Sequence, residues 1–341
     1  MKVNTLQLRR ALGAALFVLL LSVAGTKNAL AQNQVAILQH NDTVTAFYGI
    51  NAFQQAHAAA VNGDTITLSS GDFNACNITK AVTLHGAGMV SDTLGVIRTR
   101  IMNDFTINVN NNSEFLTIEG IYFNGGAAVL YSDLHHAIFK KCYFPSFDCV
   151  NSWASSHLHD VLFYDCLINY CYIRSAADGV VFYNCVLNSF RNYADSSSPT
   201  VFVYNSIIKP VETDQSYLNL YNCIIAGNVS YIQSQYADHC IEIGEESFPS
   251  TVSAYNCMTA NSYSDVFETW DGTFAIDADY SLKTEIATTF LGHDGTQVGI
   301  FGGLMPFSFR PSYLRPYRCY VPGFTTTDGH LNVEVEVAPE E

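Results

Sequence analysis

Phe163-Tyr-Asp-Cys166-Leu-Ile is one of six related phrases in the middle of this chain, and its recurrence decides the fold. The others are Ile138-Phe-Lys-Lys-Cys142-Tyr-Phe, Phe182-Tyr-Asn-Cys185-Val-Leu, Val203-Tyr-Asn-Ser206-Ile-Ile, Leu220-Tyr-Asn-Cys223-Ile-Ile and Ala254-Tyr-Asn-Cys257-Met. Intervals between the Cys or Ser positions are 24, 19, 21, 17 and 34 residues. Self-similarity at this period marks a solenoid in which each phrase closes one coil. Leucine-rich repeats share the period, but they need a recurrent Leu/Ala helical segment. Here Tyr, Phe, Val and Ile dominate, as strands require.

The repeat also interprets its own cysteines. Five of the ten occupy one repeat position, so in a stack they form an inward row spaced about 4.8 Å per coil. Side chains projecting in parallel seldom meet disulfide torsions. Buried thiols acting as small hydrophobes are therefore preferred over disulfides. Cys149 and Cys171 follow their ladder partners and are candidates for a second row. The Asn or Asp before four of these five Cys suits a tight bend, because these residues tolerate the left-handed conformation.

Outward from the repeat, residues 1–31 read as a secretory signal peptide: Lys2, Arg9 and Arg10 precede an apolar run, and Ala29-Leu-Ala31 has the small-x-small form of a cleavage site. The expected location is secreted or periplasmic, with no integral membrane segment after cleavage. Lys2, Arg9, Arg10 and Lys27 would leave with the signal, so 12 basic residues face all 31 acidic ones and the net charge is near −19. Such a balance argues against nucleic acid and anionic membrane surfaces.

Near the start, Ala52 to Val61 has helical spacing, followed by Gly63-Asp-Thr-Ile-Thr-Leu68, a Gly71-Asp-Phe turn and Val82-Thr-Leu-His-Gly-Ala-Gly88. This order resembles the opening of right-handed parallel β-helix proteins of the pectate lyase and pectinesterase type. The resemblance implies an all-β, right-handed parallel β-helix solenoid with a short N-terminal capping helix and a C-terminal closing tail. Asp294-Gly-Thr-Gln-Val-Gly-Ile-Phe-Gly-Gly303, with the Pro-interrupted stretch and terminal strand after it, is similar to the ends of many secreted bacterial β-helix proteins. The expected organisation is an N-terminal segment and helix over 32–62, the β-helix over 63–303 with the Asp294 phrase as its last coil, and a tail over 304–341.

The resemblance implies a polysaccharide partner, since enzymes of this kind work on outer faces of the stack. None of their catalytic motifs is legible, so whether the chain is an enzyme is left open, with a lyase or glycoside hydrolase as the enzymic alternatives. The alternative class is a non-catalytic structural or adhesive scaffold. The best local cluster comprises Arg174, Asp178, Arg191 and Asp195 as candidates for chemistry, and Asp148, Trp153, His157, His159 and Asp160 as candidates for ligand binding. Arg174 and Arg191 lie 17 residues apart, about one coil, and Trp153 would offer a face for a sugar ring. The structural alternative is a set of solvated turn residues pairing across coils. Neither His135-His136 nor His157/His159 is assigned a metal. The acidic stretch from Asp265 to Glu285 suggests Ca²⁺ by clustered oxygens, though no EF-hand-like loop is present.

Overall fold

A computed structural model describes residues 34–91, 97–109, 115–130, 134–150, 157–173, 176–192, 201–210, 216–228, 232–244, 248–250 and 252–311, with strands at Arg315–Tyr320 and Glu334–Ala338. The proposed signal peptide lies outside the described residues. The chain is an all-β parallel solenoid: each coil contributes one strand to a first 13-stranded sheet, turns, and contributes the next to a second 13-stranded sheet.

Strand pairing threads single rows through the whole stack. One inward row of the first sheet runs Ile66, Leu84, Ile118, Phe139, Phe163, Phe182, Val203, Leu220, Ala237 and Ala254. Its central rings stack at 4.9 Å (Phe139–Phe163) and 4.6 Å (Phe163–Phe182), the offset arrangement in which aromatic pairs gain beyond their buried area.

From Leu134–Lys140 onward, the first-sheet strands that carry the repeat phrase each lead into one left-handed residue: Lys141, Asp165, Asn184, Asn205, Asn222, His239 and Asn256 have φ between 45° and 56°. The inward position follows, holding Cys142, Cys166, Cys185, Ser206, Cys223, Cys240 and Cys257. The six ladder cysteines, with Cys76, Cys149 and Cys171, are free thiols. Each ladder thiol donates to the carbonyl two residues earlier, as Cys185 Sγ does to Tyr183 at 3.2 Å; the Ser206 hydroxyl does the same to Tyr204 at 2.7 Å. Cys240 reveals a coil concealed in the 34-residue interval, which is two coils of 17 residues. Cys149 and Cys171 are buried but out of register with each other: Cys149 pairs with Ile173, and Cys171 with Phe147.

At the N-terminal end, an antiparallel hairpin, Val35–His40 with Thr43–Tyr48, extends the first sheet. The helix Ala52–Ala59 follows, and Ala52, Phe53 and Ala56 on its buried face join the interior core. Lys80 Nζ donates to the carbonyls of His57 (2.7 Å) and Ala58 (2.8 Å), satisfying the open end of the helix.

Parallel strands end at Met258–Ala260. The Asp294–Gly303 phrase, expected as a last coil, instead runs outside the stack as a strap. Residues 262–310 lie over the second sheet, whose outward row Leu167, Val186, Ile207, Ile224 and Ile241 is buried beneath Phe267, Trp270, Tyr280, Val298, Ile300 and Phe307. Burying each such aliphatic side chain is worth about 1.5–3 kcal/mol, which explains why this face of a parallel sheet is apolar.

Candidate functional site

The first sheet keeps an outward row beside the bend: Glu119, Lys140, Tyr164, Tyr183, Tyr204, Tyr221, Asp238 and Tyr255. Successive tyrosines stack at 5.0, 5.0 and 4.8 Å from Tyr164 to Tyr221, and Lys140 Nζ stands 6.0 Å over the Tyr164 ring. Because the rings cover each other's faces, they offer solvent their edges and hydroxyls. Burial, with the neighbouring Tyr183 and Tyr221 phenols, pushes Tyr204 up to about 12, so its hydroxyl remains a donor near neutral pH.

The strap runs beside the bend row, meeting Asn222, Asn205 and Asn184 in successive coils. Asn184 Nδ2 donates to the carbonyls of Ile300 (2.7 Å) and Gly302 (2.9 Å), and the His293 amide donates to Asn222 Oδ1 (2.8 Å). Between strap and sheet lies a hollow of about 490 Å³, bordered by Lys140, Lys141, Tyr164, Asp165, Tyr183 and Asn184 on one side and by Asp294, Leu304 and Met305 on the other. Leu304 and Met305 are 98% and 77% exposed, a rim of apolar surface beside polar edges. Burial pushes the Asp165 carboxyl up to about 7, against the opposing pull of Lys141, whose Nζ is 3.8 Å away, and of a Ser308 backbone bond. At neutral pH this group can donate as well as accept.

The cluster read from sequence does not occupy one face. Asp148, Tyr172 and Arg191 form a continuous row on the second sheet, with the Arg191 guanidinium 5.6 Å from the Tyr172 ring centre. His159, Asp160 and Asp178 belong to the first sheet. There His159 stacks on His135 at 4.5 Å and lies 3.9 Å from Asp178, while His136 lies 3.5 Å from Asp160. His157 begins the strand that pairs with Ala176–Asp178. Trp153, Arg174 and Asp195 lie outside the described residues. These imidazoles and carboxylates pair across coils from strands, not from turns.

Within the acidic stretch suggested for Ca²⁺, three carboxylates have local partners. Asp265 closes a capping box with Ser262, Asp271 accepts from the Thr273 amide (2.9 Å), and Asp279 accepts from the Ser281 amide (3.0 Å). Among the described residues, a metal-ligating trio does assemble elsewhere: Asp238, His239 and His293, at the far end of the tyrosine row. Sequence reasoning missed it. The signal was the Asp238-His-Cys240 phrase inside the long interval, which shares with Lys140-Lys-Cys142 the lack of both Tyr and Asn before the ladder Cys.

The fold and groove together define a parallel β-solenoid with an externally strapped flank. No protein-family model matches the chain, and neither curated proteins nor solved structures give a match.

Proposed function

We propose that this chain is a secreted or periplasmic β-helix protein of the pectate lyase-like kind that binds a polysaccharide in the groove between the tyrosine row and the strap. The observation that carries the reading is the composition of that groove. Phenol edges, two lysines, a carboxyl poised near neutrality and an apolar rim match a ligand that alternates C–H surface with hydroxyls. The N-terminal signal-like segment supports export. Among the described residues no helix is long and apolar enough to cross a membrane.

Binding is favoured over cleavage. The groove carboxyl Asp165 sits beside Lys141, and the catalytic motifs of the enzymes that the N-terminal segment resembles are missing from the sequence. Glycan-array screening of the purified chain, followed by calorimetry on the best hit, tests the reading. Tyr183→Ala and Lys140→Ala should each weaken that hit about tenfold, some 1.4 kcal/mol, with the far-UV spectrum unchanged. A hit bound equally by both folded variants would remove the groove from consideration.

The scaffold alternative has its own support in the rings that cover each other from Tyr164 to Tyr221, a device that stiffens a rod. Absence of any glycan hit for the wild-type chain would favour it.

A further inference from the structure

Both outer ladders break in the same coil, and the strap delivers a ligating side chain there. Asp238 takes the place of a tyrosine between Tyr221 and Tyr255 in the outward row. His239 takes the place of an asparagine in the bend row, with φ 50°. His293 reaches them from the strap, held by its amide bond to Asn222. His239 Nδ1 stands 2.8 Å from Asp238 Oδ1, and His293 Nδ1 stands 3.1 Å from Asp238 Oδ2.

We propose that Asp238, His239 and His293 bind a divalent transition-metal ion of the Zn²⁺ class and so pin the strap to the stack. Donor chemistry supports this, since two imidazoles and one carboxylate form a set suited to such ions. Spacing is compatible with it. One ligand atom from each of the three residues lies within 4.8 Å of the others, and a tetrahedral ion with bonds of about 2.0–2.1 Å would hold them about 3.3 Å apart, so side-chain adjustments of up to about 1.5 Å close the set.

Charge supplies the third argument. Asp238 is 5% exposed, and a buried carboxylate requires compensation. A dication would give both imidazoles and the carboxylate a common partner. The backbone already fixes two of the three groups, His239 in the left-handed bend and His293 beside Asn222, so little ordering remains for binding to impose. Three protein ligands would leave one position for water or another ligand, and His293 is 76% exposed. This inference stands apart from the glycan reading, because it rests on a different coil and different residues.

The experiment uses the purified full chain after chelator treatment, with Zn²⁺ titrated by calorimetry and Co²⁺ by its visible absorption. The wild type should bind one equivalent of Zn²⁺ with a Kd of about 1 μM or tighter, and Zn²⁺ should raise its melting temperature. Asp238→Tyr and His239→Asn restore the residues that other coils carry at these positions, so both should fold. They should bind at least about tenfold more weakly, as should His293→Ala, and lose the Zn²⁺-dependent rise in melting temperature. No stoichiometric binding by the wild type would overturn the proposal. So would one equivalent retained at full affinity by His239→Asn or His293→Ala with the circular dichroism of the wild type.

Discussion

The Asn184 side-chain amide donates to the Gly302 carbonyl at 2.9 Å, tying a bend of the solenoid to a strap 118 positions away in sequence. The same amide holds the Ile300 carbonyl at 2.7 Å. Asn184→Gly keeps the left-handed backbone available and deletes only the amide. The Gly302 carbonyl would lose its donor, while Ile300 keeps the Phe307 amide, at a cost of about 1–3 kcal/mol. Hydrogen exchange should show deprotection confined to residues near 291–310, with the inner strands unchanged. Uniform deprotection of every coil would contradict a strap that is secured locally.

Gly302→Ala tests the same contact from the other side. A β-carbon at this position would overlap the Gln297 carbonyl oxygen and approach Asn205 Nδ2 to 2.6 Å. The Gln297 backbone cannot withdraw without opening the strap turn. Limited proteolysis should cut the variant within the strap much faster than the wild type, and the proposed glycan binding should fall with it. Equal cleavage rates would show that the strap tolerates the extra methyl.

Asp165 gives the groove a pH dependence of defined sign. Its folded-state pKa is raised from 3.8 to about 7, so between these values the folded state holds a proton that the unfolded chain has released. The contribution to stability is complete below about pH 4 and is lost as pH rises through 7, at most on the order of 4 kcal/mol. Asp165→Asn installs the residue found at Asn184, Asn205 and Asn222, and cannot ionise. Its melting temperature should exceed that of the wild type at pH 8 and approach it at pH 5. A variant less stable than the wild type at pH 8 would mean that the Lys141 pair outweighs burial.

How much of this was legible follows from what each residue contacts. The Tyr-Asn-Cys phrase names an outward ring, a left-handed bend and an inward thiol, all local requirements that recur in each coil, so repetition exposes them. The coil at Cys240 was hidden because Asp238 and His239 retain only the Cys of the phrase. The strap was read as a coil because its identity depends on Asn184, Asn205 and Asn222, more than 70 residues upstream. Nothing within Asp294–Gly303 records that it lies outside. The candidate cluster around His159 and Arg191 failed to converge for a related reason: sequence spacing gives the coil but not the sheet, and these two residues fall on different sheets.

The inner ladders make a graded prediction about packing. Phe163 is wholly buried between Phe139 and Phe182, and truncation to Ala should cost about 3–5 kcal/mol. Cys185→Ser is far milder, about 1 kcal/mol, because Ser206 already shows that a hydroxyl in this row can donate to the same class of carbonyl. Urea melts of the two variants would separate these outcomes. Comparable losses would mean that thiol packing, and not the phenylalanine stack, dominates the core.

His57 should give the N-terminal end the opposite pH response. Its Nε2 faces the Thr79 amide at 3.3 Å, and burial, aided by Lys80, lowers its pKa from 6.5 to about 4. The imidazole is therefore neutral in the folded chain, while below about pH 6.5 the unfolded chain gains a proton. Stability from this group is complete above 6.5 and declines as pH falls toward 4, at most on the order of 3 kcal/mol. His57→Gln keeps an acceptor for Thr79 without titrating, so the acid loss should shrink. A whole-chain melt would mix this slope with the contrary one from Asp165. Local probes are needed, and a solenoid permits them because each coil answers mainly to its neighbours. Amide exchange at Thr79 should accelerate between pH 6.5 and 4.5, after correction for intrinsic rates, in the wild type but not in His57→Gln. Equal acceleration in both would move the acid-sensitive group away from this helix.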